Sequence, residues 1–152
     1  MLTMKNISSY LDPNLIFFID AATREEALAS MIDHLDRAGR LKNRHTFYQA
    51  ILDREQIVST AIGMGVAIPH AKLPGYEEFF ITVGVLSKGV HWQSIDGSLV
   101  RLIFLICGPD TKQTEYLQIL SSLTICLKEE ELRKKILTLN SSHDIIELFS
   151  TF

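Results

Sequence analysis

The stretch from Asp53 to Lys72, DREQIVSTAIGMGVAIPHAK, gathers one arginine, two hydroxyls, two glycines and one histidine. That composition suits the handling of phosphate. An imidazole is a competent nucleophile near neutral pH because a substantial fraction is unprotonated, and its second ring nitrogen can be oriented by a hydrogen bond. His70 is therefore the candidate phosphoryl acceptor. Arg54 offers a planar, permanently charged fork for phosphoryl oxygens, and Ser59 and Thr60 offer hydroxyl donors. Gly63 and Gly65 permit backbone conformations closed to other residues and let amides approach an anion closely. Pro69 fixes its own φ and removes a donor, so His70 is presented on a stiff extended segment. Stiffness matters because phosphoryl transfer depends on alignment and electrostatic stabilisation.

Other chemistries fit the segment less well. Gly63-Met-Gly65-Val-Ala-Ile68 starts like a dinucleotide fingerprint, but the third glycine is absent and Pro69 stands where a helix is required. Ser59 with His70 suggests a hydrolase, yet the G-x-S-x-G elbow is missing. On composition alone a purely architectural reading stays open, with the glycines turning a strand and the histidine satisfied by its neighbours. Lys72 also stays open, either as a cation that raises the local potential for phosphate or as a solvated strand-end lysine.

The elements that must position these groups follow from hydrophobic pattern. Leu15–Ile19, Phe79–Leu86 and Leu102–Cys107 are short apolar runs rich in aromatic and β-branched residues, as expected of strands covered on both faces. Thr23 to Ala38 reads as a helix opened by a Thr23/Glu26 capping box, with Ala27, Met31, Leu35 and Ala38 on one face and Gly39 as the stop. Arg44 to Asp53 reads as a shorter helix ending near Arg54, with Phe47, Ala50 and Ile51 inward. After Gly108-Pro109-Asp110, residues 111 to 127 repeat apolar positions at Leu117, Leu120, Leu123 and Leu127. Leu132, Ile136 and Leu139 suggest another helix, and Ser141 with Asp144 caps a last one carrying Ile145, Ile146 and Phe149. Strands interleaved with helices predict an α/β sandwich.

A chain of 152 residues, 47% hydrophobic, fits one domain over residues 1–152. The net charge of -3 gives no electrostatic footprint for nucleic acid. Cys107 and Cys126 lie in apolar runs without C-x-x-C or Cys/His spacing, so no metal site is expected. The opening residues lack a secretory signal, and no apolar run nears the roughly 18 residues that cross a bilayer, so a soluble cytoplasmic protein is expected. His34, His45, His91 and His143 do not pair at ligand spacing and are expected to be structural or exposed. Tyr76, Phe79 and Phe80 would form part of a docking surface if exposed, although strand alternation buries at least one of the two phenylalanines. The acidic run 129–131 and the basic run 133–135 predict the wet face of a helix.

The run Ser59-Thr-Ala-Ile-Gly63-Met-Gly65-Val-Ala-Ile-Pro69-His70-Ala-Lys72 resembles the signature of type-2 phosphotransferase-system IIA domains, the fructose/mannitol and nitrogen-regulatory class. Ile7-Ser-Ser-Tyr-Leu-Asp12, Arg54-Glu55, and Asp96-Gly97 followed by Val100 and a strand ending at Pro109 extend the resemblance over residues 5 to 150. It implies a mixed central sheet flanked by helices on both faces, the fructose/mannitol-type IIA sandwich, and a phosphotransferase component without an organic or metal cofactor. His70 would accept a phosphoryl group from the phosphohistidine of HPr or its nitrogen-branch paralogue, and Arg54 would stabilise it. The phosphoryl group would then pass to a IIB domain or serve regulation of a target protein. The free-standing chain favours the nitrogen-regulatory type. One departure stands out: the family usually carries a second active-site histidine in a His-Leu step, and here that step reads Tyr116-Leu117 after Glu115. A phenol donates one hydrogen bond but does not become a cation near neutral pH. The alternative is thus a regulatory protein-binding module with impaired or absent transfer. Glu115 would repel a phosphoryl dianion if it pointed inward, whereas pointing to water it would favour the helix dipole.

Overall fold

The computed structural model describes residues 6–151. Met1 to Lys5, where the secretory-signal reading begins, and Phe152 lie outside them. After a 3-10 turn at Ile7–Tyr10 come β1 (Leu11–Ile19), α1 (Arg24–Arg37), α2 (Arg44–Ile57), β2 (Ala61–Gly63), β3 (Val66–Ala67), β4 (His70–Leu73), β5 (Phe80–Val90), β6 (Val100–Pro109), α3 (Gln113–Leu127), α4 (Glu130–Thr138) and α5 (Ser142–Phe149). One six-stranded sheet runs β1-β5-β6-β3-β2, with β4 also beside β6. It is mixed: β1 is parallel to β5, β5 antiparallel to β6, and β3 and β4 both parallel to β6.

Alternation along β6 explains the continuous apolar runs. Ile103, Leu105 and Cys107 face α1 and α2, while Leu102, Phe104 and Ile106 face α3, α4 and α5. Both faces of the strand are therefore dry, as expected of strands buried on both sides. Phe79 and Phe80 part in the same way, one into each cluster, so neither is exposed. The aromatic docking surface is ruled out for these two. Tyr76 is half-buried, and its phenol oxygen accepts a hydrogen bond from the Lys42 amide.

The helix boundaries follow their caps. Thr23 accepts from the Glu26 amide at 3.1 Å, and Glu26 reaches back to the Ala22 amide at 2.9 Å. Gly39, with φ of 74°, lets the Arg40 amide reach the Leu35 carbonyl and end α1. Ser141 caps α5 through the Asp144 amide. Ala38, expected on the inward face of α1, is its exposed C-cap, and Phe18, in a run expected to be covered on both faces, is 47% exposed because β1 is an edge strand. Two further helix expectations also err. The helix containing Arg54 runs a turn longer, to Ile57, and Arg54 itself donates to the Val58 carbonyl at 2.8 Å to close it. The inward face of α3 is Tyr116, Ile119, Leu123 and Leu127, so Leu117 points outward, 52% exposed, and Leu120 is half-buried. A leucine repeat cannot fix a helix's phase when isoleucine and tyrosine compete for the same side.

Candidate functional site

β4 is the continuation of β3 along the same edge of β6. Pro69 interrupts the ladder because it has no N–H, while its carbonyl accepts from the Ile106 amide at 3.0 Å. Pairing then resumes with His70 opposite Ile106 and Lys72 opposite Gly108. His70 is thereby fixed at the first residue of a paired strand. Gly108 lacks the side chain that would collide with Phe79, whose ring would lie 2.2 Å from a Cβ there. Phe79 lies against Tyr116, centroids 6.3 Å apart, and Tyr116 lies 5.2 Å from the His70 imidazole.

This apolar wall sets the electrostatics of His70. Desolvation, followed by the charges of Arg54 and Lys72, lowers its pKa to about 4. The imidazole is thus neutral, the form that attacks phosphorus. Arg54, in the last turn of α2, is near enough for its charge to act on both His70 and Tyr116, whose hydroxyl is pushed upward by burial. Lys72 lies with its Nζ 4.2 Å from the Tyr116 ring centroid and donates to Gln113 Oε1. Glu115, in the first turn of α3, is half-buried and accepts from the Tyr10 hydroxyl at 2.9 Å.

The structure brings together His70, Arg54 and Tyr116. It directs the other four candidate pocket residues elsewhere. Ser59 donates to the Trp92 carbonyl at 2.6 Å and accepts from the Ala61 amide. The Thr60 hydroxyl donates to the buried carboxylate of Glu55, which also lies 3.8 Å from Arg24. Gly63 and Gly65, with φ of 91° and 75°, form the β2–β3 turn. The Gly65 carbonyl accepts from the Arg101 and Leu102 amides, about 13 Å along β6 from the partner of His70. The anion served by this turn is the chain's own: Asp96 Oδ2 accepts from the Met64 amide at 2.9 Å, and the Ser98 hydroxyl from Gly65 at 3.1 Å. The Ser98 hydroxyl, followed by the Met64 and Ser98 amides and the Ser94 hydroxyl, all donate to the Asp96 carboxylate and hold it well below its usual range.

Gln113 escaped the sequence reading, because nothing local announces a contact across 41 positions. Lys72 carried a usable signal, since residues two apart on a strand share a face. The remaining histidines stay outside the cluster. His34 stacks on Phe17 at 4.6 Å, and His45, His91 and His143 are exposed. Among the described residues no group of His, Cys, Asp and Glu is arranged to hold a metal ion, and no helix is long and apolar enough to cross a membrane.

Residues 9–151 match the model of the phosphoenolpyruvate-dependent sugar phosphotransferase system EIIA 2 family. The chain belongs to that family. This EIIA domain is 36% identical over 132 residues to the fructose-specific EIIABC component of Bacillus subtilis, covering 87% of this chain but only 21% of that protein. It is 33% identical over 109 residues to a nitrogen regulatory protein of Bradyrhizobium diazoefficiens, covering 72% of this chain and 69% of that one. The EIIA fold also superposes on the crystal structure of the nitrogen regulatory protein IIA-Ntr from Neisseria meningitidis with a TM-score of 0.87 at 24% identity, covering 94% and 98% of the two chains.

Proposed function

We propose that this EIIA domain is a cytoplasmic phosphocarrier in which His70 accepts a phosphoryl group from the phosphohistidine of an HPr-type protein. The observation that carries the reading is His70 fixed at the start of β4 against the Tyr116 ring, with the charges of Arg54 and Lys72 acting on it. In the transfer a P–N bond forms to an unprotonated ring nitrogen of His70 while the donor's P–N bond breaks, and that electron pair stays on the donor's imidazole. Arg54 offsets the charge on the phosphoryl oxygens; at about 4 Å and an effective dielectric near 20, one such pair interacts by about 4 kcal/mol. One guanidinium N–H is occupied by the Val58 carbonyl, which anchors the fork without exhausting its five donors.

The phosphoryl group then passes to a IIB-type acceptor or sets the state of a regulatory target. The nitrogen-regulatory branch is supported by 33% identity to the Bradyrhizobium nitrogen regulatory protein, and the sugar-uptake branch by 36% identity to the fructose-specific relative. The test is intact-protein mass spectrometry after incubation with phosphoenolpyruvate, enzyme I and HPr or its nitrogen-branch paralogue. One acid-labile phosphoryl adduct is expected on the wild type and none on His70→Ala. No adduct with either donor, while a known IIA protein labels in parallel, would leave a phosphorylation-independent binding module.

A further inference from the structure

Lys72 follows His70 by two residues on β4, so both side chains leave the same face of the strand, with Cα atoms about 6.6 Å apart. Its ammonium is held. It lies 4.2 Å from the Tyr116 ring centroid and donates to Gln113, while the same ring lies 5.2 Å from His70. β4 and the first turn of α3 thus assemble ammonium, phenol ring and imidazole into one cluster. No carboxylate pairs with Lys72 among the described residues. The charge of Lys72 is felt at His70, where with Arg54 it disfavours the imidazolium.

We propose, on the reading of His70 as phosphoryl acceptor, that Lys72 is a further catalytic residue whose ammonium, docked on Tyr116 and Gln113, binds an oxygen of the phosphoryl group on His70. An ammonium has three donors. One is engaged by Gln113 and the π face of Tyr116 takes up a further side, which leaves a donor for the phosphoryl oxygen. Tyr116 remains a neutral phenol near neutral pH, with burial raising its pKa further, so it supplies the platform and Lys72 the charge. No proton moves: Lys72 keeps all three as the P–N bond forms on His70 and the donor's P–N bond breaks. The electron pair released stays with the donor nitrogen.

The experiment follows single-turnover transfer from phosphorylated HPr, or its nitrogen-branch paralogue, to the wild type, Lys72→Met and Lys72→Arg. Removing a pre-positioned charged donor lowers the rate by about 10- to 100-fold in Lys72→Met, and Lys72→Arg recovers to within about fivefold of wild type. In the wild type, the 15N resonance of the Lys72 ammonium shifts when His70 is phosphorylated. A Lys72→Met protein labelled at the wild-type rate, or a wild-type ammonium resonance unmoved by phosphorylation, overturns the proposal. Should Lys72→Met lose its fold by circular dichroism, the wild-type resonance decides alone. A wild type that takes no phosphoryl group on His70 overturns the carrier reading and this proposal together, whereas normal wild-type labelling with an insensitive Lys72 sinks only the latter.

Discussion

The Tyr116 ring lies 5.2 Å from the His70 imidazole, centroid to centroid, at an interplanar angle of 50°. An imidazole against a buried aromatic wall loses hydration that its protonated form needs, and here two cations add to the penalty.

The first consequence is a pH profile. With the folded pKa near 4 and the ordinary value near 6.5, His70 stays neutral in the native state while an unfolded chain would protonate it. Between those values the unfolded state binds more protons, so stability falls as pH drops from 6.5 through about 4. Phosphoryl acceptance, limited by neutral imidazole, stays flat down to about pH 5. An NMR titration of the His70 ring is expected to show a midpoint well below 6; a midpoint at 6.5 would contradict the buried, cation-flanked geometry.

Glycine at the β2–β3 turn answers two demands at once. An alanine at 63 would take φ near 91° and set its Cβ 2.9 Å from Asp96 Oδ2, whereas Gly97, at 74°, has nothing within 4 Å. Gly97→Ala meets only the left-handed backbone cost of about 1 kcal/mol. Gly63→Ala is expected to cost about 2–3 kcal/mol, since it also displaces the carboxylate that receives the Met64 amide. Equal midpoints in urea for the two variants would refute the distinction.

Thr60 supplies a hydroxyl to a carboxylate that is only 4% exposed. Thr60→Val leaves Glu55 without that donor, at an expected cost of about 2–3 kcal/mol, while Thr60→Ser retains the hydroxyl and stays within about 1 kcal/mol of wild type. Chemical denaturation separates the two. If valine proves as harmless as serine, the hydrogen bond to Glu55 does not contribute.

The phase of α3 is testable with two leucines. Leu123 is fully buried and Leu117 is 52% exposed. Leu123→Ala should cost about 2–5 kcal/mol through lost burial and a residual cavity, and Leu117→Ala under about 0.5 kcal/mol. Comparable thermal shifts would place the helix in the other phase.

The sequence by itself determined the layered architecture, because apolar runs such as Leu102–Cys107 make sense only when both faces of a strand are covered. It also determined the helix starts at Thr23 and Ser141, since a capping side chain bonds to an amide three residues away. The same locality made His70 and Arg54 legible, one presented by Pro69 and the other closing a helix. Tertiary structure alone decided which polar groups meet. Proximity in sequence suggested a phosphate role for Ser59, Thr60, Gly63 and Gly65, yet their hydrogen bonds go to Trp92, Glu55, Asp96, Ser98 and the β6 backbone. Lys72, Tyr116 and Gln113 were joined from strands and helices some 40 residues apart. Secondary structure is written in contacts a few residues long, whereas the partner of a buried hydroxyl or ammonium depends on how β4, β6 and α3 pack, a choice made by the whole core at once.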